Sequence, residues 1–174
     1  MRFVSLPIAG ALRLEPEGDA DRRGYFTRGY ARDALEGRGL DPALVRCDVS
    51  VHRDAGDTVD PSLQTGLHAD ARRVRCTAGA VRVLLVDLRD GDGGDVQKPD
   101  DLHDVAVHGE DLHVDGRLAL YVPPGVAVGY RTLEYESEVM IQSSEFEHAD
   151  AHRAIAADAP PLRAAWTSAA TPGI

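Results

Sequence analysis

The sequence has few cysteines, no long apolar run and no excess of basic residues, and each shortage argues against a class of protein. Cys47 and Cys76 are the only cysteines among 174 residues, so no disulfide framework is indicated. No apolar stretch is long enough to span a bilayer, and the first residues lack the layout of a signal peptide. The formal net charge of −10 argues against a nucleic-acid surface. We therefore expect a cytoplasmic protein that binds a small molecule, with no nucleic-acid or membrane partner.

Several chemical motifs are missing as well. The chain contains no glycine-rich phosphate loop and no serine nucleophile elbow. His103, His108 and His113 are spaced by five residues along turn-broken segments, a spacing that does not bring ligands together on one metal ion. The acidic run at 90–95 lacks the later glutamate of a calcium-binding loop. The sequence therefore predicts neither a metal site nor a cofactor.

The pattern of apolar residues predicts a chain made mostly of β-strands. Residues 45–52 alternate strictly between apolar and polar side chains, as half-buried strands do. Residues 136–146 are predicted as another strand, with Val139 and Ile141 on one face and Met140 on the other. One short helix is predicted over 31–40, where apolar residues recur at helical spacing before a Gly, Gly, Pro ending. Many short strands separated by Gly, Pro and Asp turns favour an antiparallel sandwich or barrel. We expect one domain, 1–174, with an Ala-rich tail interrupted by prolines.

The stretch Leu63–Arg89 is the most informative part of the sequence. It reads as strand, turn, strand, and places His68 close to Arg72 beside a long apolar strand. If the strand continued through His68, that side chain would share a face with Gly66 and Asp70. If the protein does chemistry on a small molecule, we expect that chemistry near His68, because an imidazole changes its charge near neutral pH. The alternative is an interior histidine whose hydrogen bonds are satisfied by the fold.

Five segments of the chain form a recognisable series of motifs. They are DRRGYFTR at 21–28, TGLHAD at 65–70, RRVRCTAGAVRVLLVDLR at 72–89, LYVPPGVAVGYRTLE at 120–134 and ADAPPLRAAW at 157–166. In this order they resemble the dTDP-4-dehydrorhamnose 3,5-epimerase family. The resemblance implies an all-β, double-stranded β-helix (cupin or jelly-roll) barrel with a few short helices. It also implies a homodimer in which the N-terminal strands are exchanged and Arg23 reaches the partner's site.

The family's reaction is removal of a proton next to the ketone of a nucleotide-linked 4-keto-6-deoxyhexose, followed by return of a proton on the other face. By resemblance, His68 is the base, Asp158 orients it and Arg72, at the family's lysine position, stabilises the enolate. The resemblance also assigns phosphate binding to Arg23 and stacking on the nucleotide base to Phe26.

Other positions depart from the family pattern. Ile141 stands where the family has its proton-donating tyrosine, and Thr65 replaces an arginine that contacts phosphate. Val128 and Val83 replace a histidine and an aspartate of the same site. Arg46 and Asp48 take the places of a glutamine and an asparagine, and we expect both to contact substrate. An alkyl group cannot donate a proton, so the acid must come from elsewhere if both faces are used.

Tyr130 and Tyr135 are the candidate replacement acids, and His52 on a neighbouring strand could also reach the pocket. Tyrosines of this kind are otherwise packing residues with a hydrated hydroxyl. Three hypotheses follow: a divergent sugar-nucleotide epimerase, the same pocket applied to a non-nucleotide intermediate, and a binding module without catalysis. The first is our prediction, with Tyr130 assigned to the substrate-binding set.

Overall fold

Two antiparallel β-sheets face each other around an apolar interior in the computed structural model, which describes residues 1–89 and 105–167. This confirms the expected all-β barrel of the double-stranded β-helix type. The strands are β1 (Arg2–Ser5), β2 (Leu12–Glu15), β3 (Gly18–Asp21), β4 (Gly24–Thr27), β5 (Arg46–His52), β6 (Thr58–Gln64), β7 (Arg72–Ala78), β8 (Ala80–Asp87), β9 (Ala106–His113), β10 (Ala119–Val122), β11 (Val126–Thr132), β12 (Ser137–Ser143) and β13 (His152–Ala154).

The strand order explains how distant segments meet. One sheet has the order β1-β2-β10-β7-β12-β5 and the other β13-β6-β11-β8-β9, while β3 and β4 form a separate hairpin. From β5 to β8 and again from β10 to β13, each strand lies in the sheet opposite the one before it. Neighbouring segments of the chain therefore form facing walls, and side chains from both walls project into one interior.

Alternation along the strands fills that interior with apolar side chains. On β7, Val74 and Cys76 point inward, and on β12 Val139 is buried with Ile141 packed beside it. Val83 and Val128 meet them from the opposite sheet. Directly opposite residues of neighbouring strands share a face, so the register of β12 with β7 fixes which side chains line this wall.

Strand β5, at the edge of its sheet, carries its polar residues on the interior side. Asp48 pairs with Ile141 and Ser50 with Val139, so the row to which they belong faces inward and also contains Arg46 and His52. The apolar row faces solvent: Val49 is 55% exposed and Val51 is 67% exposed. This arrangement reverses the usual rule for a half-buried strand, and it bears on both the site and the assembly.

Helix α1 (Arg32–Glu36) confirms the predicted helix in a shorter form. The tail, for which the sequence predicted only an Ala-rich segment broken by prolines, contains a second helix, α2 (Pro160–Thr167), which Pro160 and Pro161 begin. Proline is tolerated in the first turn of a helix, where its missing N–H has no intrahelical partner. Neither helix of the described chain is long and apolar enough to cross a membrane.

Three predicted segments also differ from the structure. Residues 58–62, read as part of a loop, belong to β6, and the pieces read separately within 105–114 form one continuous strand, β9. His68 lies in a 3₁₀ turn (Gly66–His68) instead of a strand, so it does not share a strand face with Asp70. The acidic run at 90–95 and His103 lie outside the described residues.

The two sheets are joined at one edge by a charged cluster. The Arg13 side chain, on β2, donates a 2.9 Å hydrogen bond from Nη1 to Glu110 Oε1 on β9. His108, two residues before Glu110 on the same strand, lies 3.1 Å from the other carboxylate oxygen. Glu110 is buried, so this carboxylate depends on its two partners for compensation of its lost hydration.

Candidate active site

His68 is presented at one end of the barrel by a tight turn. Gly66 begins the turn with φ of +65°, a left-handed conformation that glycine adopts without steric cost. The Ala69 backbone N–H closes the turn by donating to the Gly66 carbonyl. His68 is half-buried, while Leu67 before it is fully exposed. The imidazole is therefore accessible from outside but held on a short, constrained segment.

A second imidazole covers one face of His68. The His148 ring stacks on it with centroids 3.5 Å apart and planes 20° from parallel. His148 belongs to the loop after β12, which the buried Gln64 side chain fastens at two points. Gln64 Nε2 donates to the Phe146 carbonyl at 2.9 Å, and Gln64 Oε1 accepts from the His148 N–H at 2.6 Å. The sequence alone did not indicate His148 as a site residue.

Arg72, four residues after His68 in the chain, lies inside the barrel. Its Nε donates to Asp70 Oδ2 at 2.9 Å and its Nη1 to the Ser62 carbonyl at 2.9 Å, so it bridges the two sheets. Asp70 and Arg72 are both buried. Ser143 is the register partner of Arg72 on β12. Asp70 Oδ1 and Ser143 Oγ are buried without a hydrogen-bond partner among the described residues. These two oxygen atoms are therefore available to hydrogen-bond a polar ligand.

Asp158 is not placed where the resemblance implied. Its side chain is 81% exposed and lies 3.8 Å from Arg163 Nη2, on an outer groove beside Trp166. Within the described chain, Asp158 and His68 form neither a hydrogen bond nor an ion pair. Asp158 lies just before the Pro-Pro start of α2. The Arg163 Nε, one turn into this helix, donates to the Asp158 carbonyl at 2.6 Å. The structure therefore does not form the expected pair, and the stacked His148 is what contacts the His68 ring.

Arg23 and Phe26 both lie on the β3–β4 hairpin, away from the His68 turn. Arg23 is exposed and pairs with Asp21 at 2.7 Å, and Phe26 is 76% exposed. Neither makes a contact with His68 or Arg72 within the described residues of this protomer. An aromatic ring so exposed on a hairpin is suited to covering something outside its own chain.

Arg46 and Asp48 lie at the open end of β5 and pair with each other at 2.8 Å. Arg46 also donates from Nη1 to Glu147 at 3.0 Å, next to His148 in the same loop. Arg46 thus approaches the histidine pair through that loop. Asp48 is more than half exposed, at the rim of the barrel.

Tyr130, on β11, is 2% exposed and points into the barrel. A 2.9 Å hydrogen bond joins its hydroxyl to His52 Nε2. His52 Nδ1 lies 3.5 Å from Asp57 Oδ2, whose side chain is about half exposed. Burial raises the pKa of the Tyr130 phenol, against a smaller lowering by its hydrogen bond with Ser50, so the hydroxyl is protonated at neutral pH. The alternation of β5 already placed His52 on the face of Asp48, but the contact with Tyr130 required the folded structure.

No group of three or more His, Cys, Asp or Glu residues in the described ranges is arranged to hold a metal ion. The described chain offers acid, base and electrostatic groups: imidazoles at His68 and His148, a buried guanidinium at Arg72 and a buried phenol at Tyr130.

Comparison with known proteins gives the family. The family model described as dTDP-4-dehydrorhamnose 3,5-epimerase matches residues 5–172. The chain belongs to that family.

Relatives are similar along nearly the whole chain. An enzyme of that name from Sinorhizobium fredii is 27% identical over 175 residues, which cover 98% of this chain and 83% of the relative. The crystal structure of the Bacillus anthracis dTDP-4-dehydrorhamnose 3,5-epimerase with TDP and PPi bound is 27% identical, covers 93% and 87% of the two chains and has a TM-score of 0.81. A 4-keto-6-deoxy sugar epimerase from the novobiocin biosynthetic gene cluster of Streptomyces spheroides is 26% identical, covers 98% and 81%, and has a TM-score of 0.82.

Because the chain belongs to the epimerase family, its departures from the family pattern can be located at particular positions in the structure. Ile141, Val83 and Val128 all belong to, or pack against, the apolar interior cluster. Thr65 begins the His68 turn and donates its hydroxyl to the Ala151 carbonyl at 3.2 Å. The interior that would carry polar groups in the family pattern is therefore apolar here at three positions. The polar groups that face it come from Arg72, the inner row of β5 and Tyr130.

Proposed function

We propose that this protein epimerises a dTDP-linked 4-keto-6-deoxyhexose by removing and returning a proton on a carbon next to the ketone. The observation that carries the proposal is a half-buried imidazole, His68, held in the Gly-Leu-His turn four residues before the buried Arg72, in the fold of the epimerase family. This arrangement suits deoxysugar or natural-product biosynthesis, the setting of the novobiocin-cluster relative.

His68 acts as the base. Stacking on His148 fixes the plane of its ring, and a ring held in one orientation loses less freedom when it meets the substrate. Arg72 stabilises the negative oxygen of the enolate. Because an arginine side chain stays protonated, it contributes charge and hydrogen bonds and does not exchange a proton itself. Asp70 holds the guanidinium in place.

The nucleotide is held outside the His68 turn in this proposal. Arg46, which pairs with Asp48 and Glu147, lies at the rim of the barrel, and its charge suits a diphosphate. Arg23 and Phe26 serve the site of a second protomer, because their hairpin makes no contact with the His68 turn of its own described chain.

A homodimer follows from the same reasoning. The outward row of β5 presents Val49 and Val51 to solvent on an edge strand. An exposed apolar row on an edge strand favours association with another sheet. The proposed location is the cytoplasm, and the free thiols of Cys47 and Cys76 suit its reducing conditions.

Hydrogen exchange in D2O tests the function directly. The purified protein is incubated with dTDP-4-keto-6-deoxyglucose, and deuterium uptake at the two carbons next to the ketone is followed by NMR. We expect uptake at one or both carbons, reduced at least about 100-fold in His68→Asn because a general base is lost. His113→Asn, which changes an exposed histidine on β9, is the matched control. Absence of uptake with the wild-type protein would contradict the proposal.

A further inference from the structure

The interior wall formed by β12 and β5 receives a phenol from the opposite sheet. Tyr130 starts on β11, where it pairs with Val83 and Val59. Its hydroxyl crosses the interior to His52 on β5, and its ring meets the His52 imidazole edge to face, with centroids 5.4 Å apart. Ser50, two residues before His52, is a second polar neighbour of the phenol.

The contact between Tyr130 and β5 lies on the same ladder as Ile141. On the β12–β5 ladder, Ile141 pairs with Asp48, Val139 with Ser50 and Ser137 with His52. Two residues along a strand advance about 7 Å, so Ser50 is one inward-facing position from the Ile141 pair and His52 is two. Strand β12 carries Ile141 where the family pattern has a tyrosine, and the same wall of the barrel is reached by the Tyr130 phenol from β11.

The backbone around Tyr130 is shaped for this approach. The ladder between β11 and β6 shifts register between Val128 and Tyr130. Gly129 lies between them, and a side chain there would come within 2.5 Å of the Pro61 nitrogen. Only glycine lets β6 pack this tightly against β11. The tight packing holds the backbone of Tyr130 in place, and its side chain crosses the barrel interior.

The far side of the phenol is connected to solvent. His52 contacts Tyr130 through Nε2 and faces Asp57 through Nδ1, at 3.5 Å. Asp57 is about half exposed, so a proton can pass from water to the imidazole and on to the phenol. A carboxylate that faces the second nitrogen of an imidazole fixes the orientation of the ring.

We propose that Tyr130 is the acid that returns a proton to the sugar on the face opposite His68, with His52 and Asp57 as positioning residues that restore its proton. This inference rests on the proposed epimerase function and supplies the acid that Ile141 cannot provide.

The proton balance closes without any other reagent. His68 takes the proton from carbon, and the electron pair of the broken C–H bond forms the enolate. The Tyr130 O–H bond then breaks, and its proton forms the new C–H bond with the enolate electron pair. The phenolate regains a proton from His52 Nε2, and His52 is reprotonated from water beside Asp57. His68 releases its proton to solvent, and nothing is oxidised or reduced.

The test separates hydrogen exchange from inversion. Tyr130→Phe is assayed with dTDP-4-keto-6-deoxyglucose in D2O, with deuterium uptake measured by mass and the inverted sugar measured by NMR. We expect uptake within about threefold of wild type, because His68 still removes and returns the proton on its own face. Inversion should fall at least about 100-fold. Tyr121→Phe is the matched control, since it also removes a buried hydroxyl, one that accepts from the Asp41 N–H, and it should change neither rate.

His52→Gln provides a second, independent variant. It keeps a polar side chain near the phenol but removes proton transfer, so inversion should fall about tenfold with uptake retained. His108→Gln removes another carboxylate-paired imidazole and should not change the ratio of inversion to uptake. If Tyr130→Phe destroys the fold, His52→Gln decides the question.

Three results would overturn the inference: inversion by Tyr130→Phe at the wild-type rate, equal loss of uptake and inversion in a folded Tyr130→Phe protein, or an unchanged ratio in His52→Gln. Each of these leaves the epimerase function standing. Failure of the wild-type protein to exchange hydrogen is a different result and contradicts the function itself.

Discussion

The His68 and His148 rings stack 3.5 Å apart although 80 residues separate them in the chain. Replacing His148 by Phe keeps a flat ring against His68, whereas Ala leaves that face open. We predict that His148→Phe retains turnover within about threefold, while His148→Ala loses about tenfold or more because the base is less well oriented. The measurement is kcat and KM for both variants. If Phe were as damaging as Ala, His148 would contribute its nitrogen atoms and not its stacking.

The buried Asp70–Arg72 pair gives a prediction for stability. Removing one member leaves the other as an uncompensated buried charge, so Arg72→Met and Asp70→Asn should each lower the free energy of unfolding, by about 3–5 kcal/mol where the remaining charge stays fully buried. The double variant should recover part of that loss. Urea unfolding of the four proteins measures the coupling. Additive losses would show that the two charges are not paired in solution.

Arg72→Lys, which keeps the charge, should retain more turnover than Arg72→Met.

The Glu110 carboxylate makes stability depend on pH. Burial acts to raise its pKa, but the hydrogen bonds from His108 and Arg13 outweigh burial and lower the pKa below the usual 4.5. A lowered pKa in the folded state contributes stability that is present above pH 4.5 and is lost as the pH falls through the folded value. Glu110→Gln should therefore cost about 1–3 kcal/mol near pH 7, and the difference should shrink toward pH 3. Glu134→Gln, at an exposed position, is the control and should show no such trend.

The outer row of β5 predicts how the protomers associate. Cys47 lies in that row with Val49 and is exposed, whereas Cys76 is buried. If a second copy covers the row, a neutral maleimide should label Cys47 slowly in the native protein and faster in Val49→Asp, which should be monomeric by light scattering. Val114→Asp, at another exposed valine, should leave both properties unchanged. A wild-type monomer with rapidly labelled Cys47 would contradict the proposed dimer.

How far the sequence leads can be judged from particular residues. Strand β5 was predictable from strict alternation and β12 from its short apolar run between polar residues, because both signals are local. The family was predictable from five short motifs in the right order. The contact between Tyr130 and His52 was not, since it joins strands of different sheets and depends on the register of three ladders. Asp158 was misplaced because a motif match gives no information on where a side chain points after a Pro-Pro helix start. His148 gave no signal because a loop histidine resembles any other polar loop residue.

The carboxamide of Gln64 has the shape and the bonding pattern of a peptide unit. It donates to one loop carbonyl and accepts from one loop N–H, as a paired backbone segment would, and so extends the ladder of β6 to a loop that has no strand of its own. Gln64→Glu would exchange a single NH2 group for an oxygen and remove the hydrogen bond that Gln64 donates to the Phe146 carbonyl. The barrel would keep its shape, yet the segment bearing His148 would be tethered on one side only. The position of the ring that stacks on His68 thus depends in part on one nitrogen atom of Gln64.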